Sequence, residues 1–215
     1  MRNLFSTGVL VVGLAFTAIA MAQPQSGPPI PYEDPGVCPF EGCVYRDWQA
    51  LKTVKVHRTR SSKARVVFSV ANGAKVTAIT GVVVTHSPGQ VRFRRPVDLK
   101  WFGALEPVTV RPGVTVRRPH ESGVVHVEPG ETLYLLTYYG EGDTAAWFKG
   151  RLYPHLDGAI DIFNAACDGD CAGSIVHQPR RVWWVQLKNA KGQNGWAAID
   201  QGDFTGSYSG DDAVK

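Results

Sequence analysis

Val182 to Ala197 reads VWWVQLKNAKGQNGWA, and this stretch decides the fold. Alternation puts Trp183, Val185 and Leu187 on one face of a strand and Trp184, Gln186 and Lys188 on the other, the period-two pattern of a strand buried on one side. Asn189 to Gly195 supplies a polar, glycine-containing turn, and Trp196, Ala197 and Ile199 begin a returning strand. The unit reads as a hairpin with a tryptophan on each arm, expected to close a small β-barrel.

Upstream of it, from Thr53 on, β-branched runs alternate with turn residues: TVKVHR, ARVVFSV, AKVTAIT, GVVVTH and QVRFRR, separated by SSK, Asn72-Gly73 and Ser87-Pro88-Gly89. Short strands at this spacing predict an all-β sandwich or barrel, and no segment has a helical period. An internal repeat points the same way. Val67 to Thr80 aligns without gaps against Val124 to Thr137, an offset of 57 residues, each copy reading strand, glycine-containing turn, strand. Trp101 to Thr115, with two prolines, is expected to join the two units. In the second unit Tyr134 to Tyr139 and Trp147 to Tyr153 form a long hairpin, and Pro154 to Pro179 makes a loop-rich excursion.

The amino terminus carries an export signal. Arg2 supplies a short positive region, Leu4 to Ala20 is mostly apolar, and Ala20-Met21-Ala22 matches the small-x-small cleavage pattern. Cleavage would leave Gln23 first, no cysteine for a lipid anchor beside it, and no later segment apolar enough to span a bilayer. A periplasmic or secreted location follows. Five prolines between Gln23 and Gly36 then imply an extended lead segment. With 23 basic against 19 acidic residues, the net charge of +4 suits solubility and weak affinity for anionic envelope polymers, and export argues against nucleic acid.

The four cysteines fall in two short pairs, Cys38 with Cys43 and Cys167 with Cys171, and an even count in an exported chain argues for disulfides. Three connectivities are possible. Two local bridges are favoured, because Pro39, Gly42 and Gly169 permit the tight turns, with a cross-bridge between the pairs as the alternative. The x4 and x3 spacings fit zinc knuckles poorly, and neither is a C-x-x-C redox pair.

The turn-strand signatures NGAKVTAI and PGETLYLL, followed by the W-x-V…G-x-x-G-W pattern of Trp183, Val185, Gly192, Gly195 and Trp196, resemble the bacterial SH3-like domain family. The likeness covers about two thirds of the mature chain by this motif comparison. It implies two small β-barrels in tandem, and with the features already read from the residues the chain divides into a signal peptide at 1–22, a proline-rich lead with a cysteine pair at 23–44, a first unit at 45–107, a second with a disulfide-containing insertion at 108–205, and an acidic, glycine-rich tail at 206–215 expected to be disordered. It also implies binding rather than catalysis, since such domains mostly target or position envelope components, although fold analogy identifies no ligand.

The residues themselves offer little catalytic machinery. All four cysteines have local pairing candidates, G-x-S-x-G and H-E-x-x-H are both missing, and the six histidines are scattered. Asp157, Asp161, Asp168 and Asp170 could offer oxygens to calcium but follow no EF-hand pattern. No metal or cofactor is expected, and the chain reads as a non-enzyme. Candidate ligand-binding residues are those where aromatic and basic side chains share an outward face: Trp184 with Lys188, and Trp147, Arg151 and Tyr153, with Lys149, on one face of the neighbouring hairpin. The plainer reading of Trp147 and Trp184 is that they cover apolar surface. Arg92, Arg94 and Arg95, with Arg117, Arg118, Arg180 and Arg181, could form a track for acidic glycans or lipid headgroups. The expected partner is peptidoglycan, another anionic glycan or an envelope protein, with a carboxylate-dependent hydrolase as the remaining alternative.

Overall fold

The computed structural model describes residues 27–103, 105–111, 114–157 and 171–209, with backbone alone at 105, 107–111 and 114–119. The expected signal peptide and Cys167 lie outside these residues. Everything regular among the described residues is β. In chain order the strands are β1 (Tyr32–Pro35), β2 (Asp47–Ala50), β3 (Val54–His57), β4 (Val66–Val70), β5 (Lys75–Ser87), β6 (Gly89–Phe93), β7 (Val97–Phe102), β8 (Leu105–Arg111), β9 (Val114–Pro119), β10 (Ser122–Val127), β11 (Thr132–Gly140), β12 (Asp143–Phe148), β13 (Arg151–Asp157), β14 (Gly173–His177), β15 (Arg180–Lys188), β16 (Asn194–Ala198) and β17 (Phe204–Thr205).

They form two large sheets and a small hairpin, β8-β9. The first sheet runs β17-β2-β5-β15-β16-β3-β4, and the second, taken from its β14 edge, runs β14-β6-β11-β12-β13-β7-β10. Numbered by their order within each sheet's own share of chain, leaving β1 aside, both run seventh, first, fourth, fifth, sixth, second, third. Registers agree as well. Trp48 lies opposite Val76 in the first sheet and Val91 opposite Leu133 in the second; Val54 faces Val70, and Val97 faces Val127. Val76 to Leu133 and Val70 to Val127 both span the offset of the sequence repeat, so the aligned segments occupy equivalent places. Their two arms do not pair with each other, however. In each copy the first arm joins the second strand and the later arm joins the first, with Gly73 (φ 79°) and Gly130 (φ 84°) turning the chain between them.

The units are nested rather than consecutive. All of β6 to β14 lies in the chain between β5 and β15, two strands paired along almost their whole length, from Lys188 opposite Thr77 to Arg180 opposite Ser87. The hairpin from Val182 to Ala197, expected within the 108–205 unit, therefore closes the first sheet, and β16 goes on to meet β3 through Trp196 and His57. Its inward row explains why: Trp183, Val185 and Leu187 complete a core with Trp48, Val56 and Ala197. Burying one such leucine stabilises by about 1.5–3 kcal/mol. Trp101 to Thr115 is no linker. Leu99 and Trp101 are inward residues of β7 in the second core, with Val91, Leu133 and Phe148, and β8-β9 projects from between β7 and β10.

Both ends of the described span are tied to the first sheet. The proline-rich lead forms β1, which pairs with the far half of β5, Tyr32 opposite Thr85 and Pro35 opposite Val82, where proline's missing N–H does no harm at the end of an edge strand. Residues 206–209, expected to be disordered, are held instead. Arg46 Nε donates to the Gly206 carbonyl at 2.7 Å and Nη2 to that of Tyr208 at 2.9 Å, while the Val44 N–H donates to the Ser207 carbonyl and the Ser209 N–H to that of Gly42.

Candidate functional site

The outward residues of β15 build the first candidate surface. Trp184 points away from the main core, as alternation predicts, but is only 7 % exposed, because it packs on Val82 and Val84 beside Val182 and Trp196. Lys188 is exposed at the other end of the strand. A loop over residues 58–65 arches across this face. Arg58 N–H bonds the Arg65 carbonyl at 2.9 Å, and His57 Nδ1 lies 2.8 Å from the Ala64 carbonyl. Arg60 lies 5.6 Å above the Trp196 ring and pairs with Glu33 of β1 at 2.9 Å. Between loop and sheet is a concave groove of about 570 Å³, with Trp184 and Val84 on its floor and Glu33, Arg60, Ser61 and His86 on its rim. A second hollow, of about 320 Å³, opens on another side of the same indole, toward His57 and Asp203. Trp184 thus packs on Val82 and Val84 and at the same time forms a floor shared by two depressions.

The second candidate surface lies on the other sheet, where the expected cluster divides. Lys149 (φ 48°) and Gly150 (φ 81°) make a two-residue turn that sets Phe148 opposite Arg151, Trp147 opposite Leu152 and Ala146 opposite Tyr153. Trp147 therefore shares a face with Leu152, not with Arg151 and Tyr153, and is half-buried there. Arg151 and Tyr153 do meet. The guanidinium carbon lies 4.5 Å from the Trp101 centroid and 5.2 Å from that of Tyr153, and the two rings meet edge to face at 5.5 Å. Glu121 stands 3.6 Å from Arg151. Beside this stack an apolar hollow of about 540 Å³ runs along edge strand β10, lined by Trp101, Phe102 and Val124, with Val124 61 % exposed.

Sequence reasoning missed a polar group where β1 meets the second sheet. Tyr139 Oη donates to Asp34 Oδ2 at 2.6 Å, and His155 Nδ1 lies 2.7 Å from Asp143 Oδ2. The imidazole stacks on Phe102 at 4.7 Å and against Tyr139 at 4.8 Å. Burial, with the Asp34 charge and hydrogen bond behind it, pushes the Tyr139 hydroxyl far above its ordinary value, so it stays a donor. Asp143 Oδ1 is buried and unbonded. Asp34, Tyr139, Asp143 and His155 are isolated residues, with 105 positions between Asp34 and Tyr139 alone, and they carry no motif, so nothing in the chain announces their meeting.

Cys38 and Cys43 form a disulfide with Cα atoms 5.5 Å apart. Cys171 is also disulfide-bonded; Cys167, its expected partner, and Asp161, Asp168 and Asp170, weighed for calcium, lie outside the described residues. Among the described residues no three His, Cys, Asp or Glu side chains converge as a metal site. The basic track is partly placed: Arg92 and Arg94 are exposed opposite buried Val91 and Phe93, whereas the Arg117 and Arg118 side chains lie outside the description. No protein-family model, curated protein or solved structure matches this chain.

Proposed function

We propose that this chain is an exported, non-catalytic binding module of the cell envelope, built as two SH3-like barrels, whose ligand is peptidoglycan or another envelope polymer. The observation carrying this reading is the groove of about 570 Å³ under the 58–65 loop. Its floor is an indole, and a guanidinium, a carboxylate, an imidazole and hydroxyls stand on one rim, a mixture that meets the hydroxyls, amides and charges of a glycan bearing short peptides. The repeated strand order supports the two-barrel reading, and the Cys38–Cys43 bond suits an oxidising compartment.

A second reading, docking of an envelope protein, is favoured by one feature: edge strand β10 presents exposed Val124 next to the Trp101 and Phe102 hollow, a place where another chain could add a strand. Co-sedimentation with purified peptidoglycan at low and high salt separates the two. Wild-type retention that falls at least tenfold in Glu33→Ala and His86→Ala, with unchanged melting temperatures, supports the groove. Equal retention of both variants removes it, and absence of wild-type retention removes the polymer reading altogether.

A further inference from the structure

A third depression lies in the seam between the two sheets, apart from the groove and not dependent on it. It encloses about 220 Å³, smaller than pockets that hold drug-sized molecules. Its walls come from separate parts of the fold: Phe40 from the disulfide turn, Tyr138 from β11, Arg181 and Trp183 from β15, and Asp200 from the turn after β16. Phe40 meets the Trp183 ring edge to face at 5.8 Å, and the two rings together make a continuous apolar wall.

Two opposite charges line this space without using each other. Arg181 lies on the inward side of β15 two residues before Trp183, past the end of the core, with Thr85 opposite it. Among the described residues no carboxylate lies within ion-pairing distance of it. Asp200 is placed by a turn in which its N–H donates to Asp203 Oδ2 at 3.0 Å and its carbonyl accepts from the Asp203 N–H at 3.1 Å. Lys52 pairs with Asp203 Oδ1 at 2.7 Å and also feels the Asp200 charge, but among the described residues no cation comes within ion-pairing distance of the Asp200 carboxylate. Although Arg181 as a residue is exposed, burial around its guanidinium lowers its pKa from the ordinary arginine value. With no acidic partner among the described residues, the planar Arg181 guanidinium is free to offer two parallel N–H donors to a carboxylate seated in the cleft.

We infer that the seam cleft binds a small zwitterion, an amino acid or a short peptide with free ends, its carboxylate on Arg181, its ammonium on Asp200 and its apolar middle against Phe40 and Trp183. The two charges set the polarity of the ligand, and the aromatic wall favours small apolar side chains over charged ones.

Alanylalanine is a suitable probe, titrated into the full chain by calorimetry and by intrinsic tryptophan fluorescence, with Trp183→Phe identifying the share of the signal that comes from the cleft wall. Its N-acetylated and C-amidated forms test each charge without altering the protein, and each should bind at least tenfold more weakly. Arg181→Gln should lose tenfold or more for the free dipeptide and no further for the amide. Asp200→Asn should show the same pattern for the acetylated form. Equal binding of free and blocked dipeptides, or no saturation of the wild-type chain by about 10 mM, overturns the inference. Glu33→Ala in the groove should leave this binding unchanged, which keeps the two sites experimentally separate.

Discussion

Trp183 donates its indole N–H to the hydroxyl of Tyr45 at 3.2 Å, across 138 residues of chain. The Tyr45 hydroxyl in turn donates a hydrogen bond to the Val37 carbonyl, and the ring stacks on Trp48 at 6.0 Å, so one chain of contacts ties the closing hairpin to the disulfide turn. Gly81 lies directly below. A Cβ there would stand 2.0 Å from Tyr45 Oη and 2.5 Å from Trp183 Nε1, so the contact exists only because that position has no side chain.

Tyr45→Phe should therefore cost about 1–3 kcal/mol, because the indole N–H loses its acceptor in a largely buried place. Gly81→Ala should cost a similar about 1–3 kcal/mol by overpacking. Because the alanine methyl collides first with the hydroxyl, the double variant should be less destabilised than the sum. Urea melts of the four proteins measure this, and strict additivity would show that the two groups do not touch.

Burial pushes the Tyr45 hydroxyl up to about 12, outweighing the opposing hydrogen bond from Trp183. Its unfolded value is about 10. The folded state thus keeps the proton longer, and the resulting stabilisation is complete below about pH 10 and lost as pH rises through about 12. Denaturant melts at pH 9 and pH 11 should show wild-type stability falling more steeply than that of Tyr45→Phe, and parallel losses would contradict the assignment.

Ser87 and Arg180 stand opposite each other where the second unit departs and returns. Removal of residues 88–179 and joining of these ends through an Asn-Gly turn should leave the first sheet folded, since β5 and β15 become an ordinary hairpin. Lost with the insert are the Thr85 hydroxyl bond to the Leu136 carbonyl, at 3.1 Å and worth about 1 kcal/mol, and the charge-assisted Tyr139–Asp34 bond, worth about 1.5–3 kcal/mol. Cooperative unfolding with a near-ultraviolet tryptophan signal is the expected result. A chain without that transition would mean the first sheet depends on the second.

Cys38 and Cys43 close a short loop, and by the chain-entropy relation their replacement by serine should cost about 2 kcal/mol. Phe40 is carried on that loop, so the variant should also blur the near-ultraviolet signal of Trp183. A thermal melt with and without reductant checks both, and reductant should have a much smaller effect on the variant than on the wild type.

What was legible in the chain was local. Trp183, Val185 and Leu187 point inward as their alternation says, Asn189 organises the turn through bonds from Lys191 and Gln193 N–H at 3.0 Å each, and the repeat gives true structural equivalents. What was not legible depends on partners far along the chain. β5 and β15 are β-rich segments that could pair with many others, and nothing in either says that roughly ninety residues intervene before they meet. The burial of Trp184 was beyond reach for the same reason. Its face is outward by alternation, and only the arrival of the 58–65 loop and β1 turns that face into a floor. On the β12-β13 hairpin the error was one of parity: a two-residue turn sends Trp147 and Tyr153 to opposite faces.

The placement of β6 to β14 inside the first unit also sets an order of assembly. A chain synthesised from its amino terminus delivers all seven strands of the inner sheet before β15 emerges, so the inner sheet can mature while the earlier-made β5 still lacks its longest neighbour. The oldest strands are the last to be satisfied, and until the carboxy-terminal hairpin arrives they are the part of the newborn chain most in need of a chaperone.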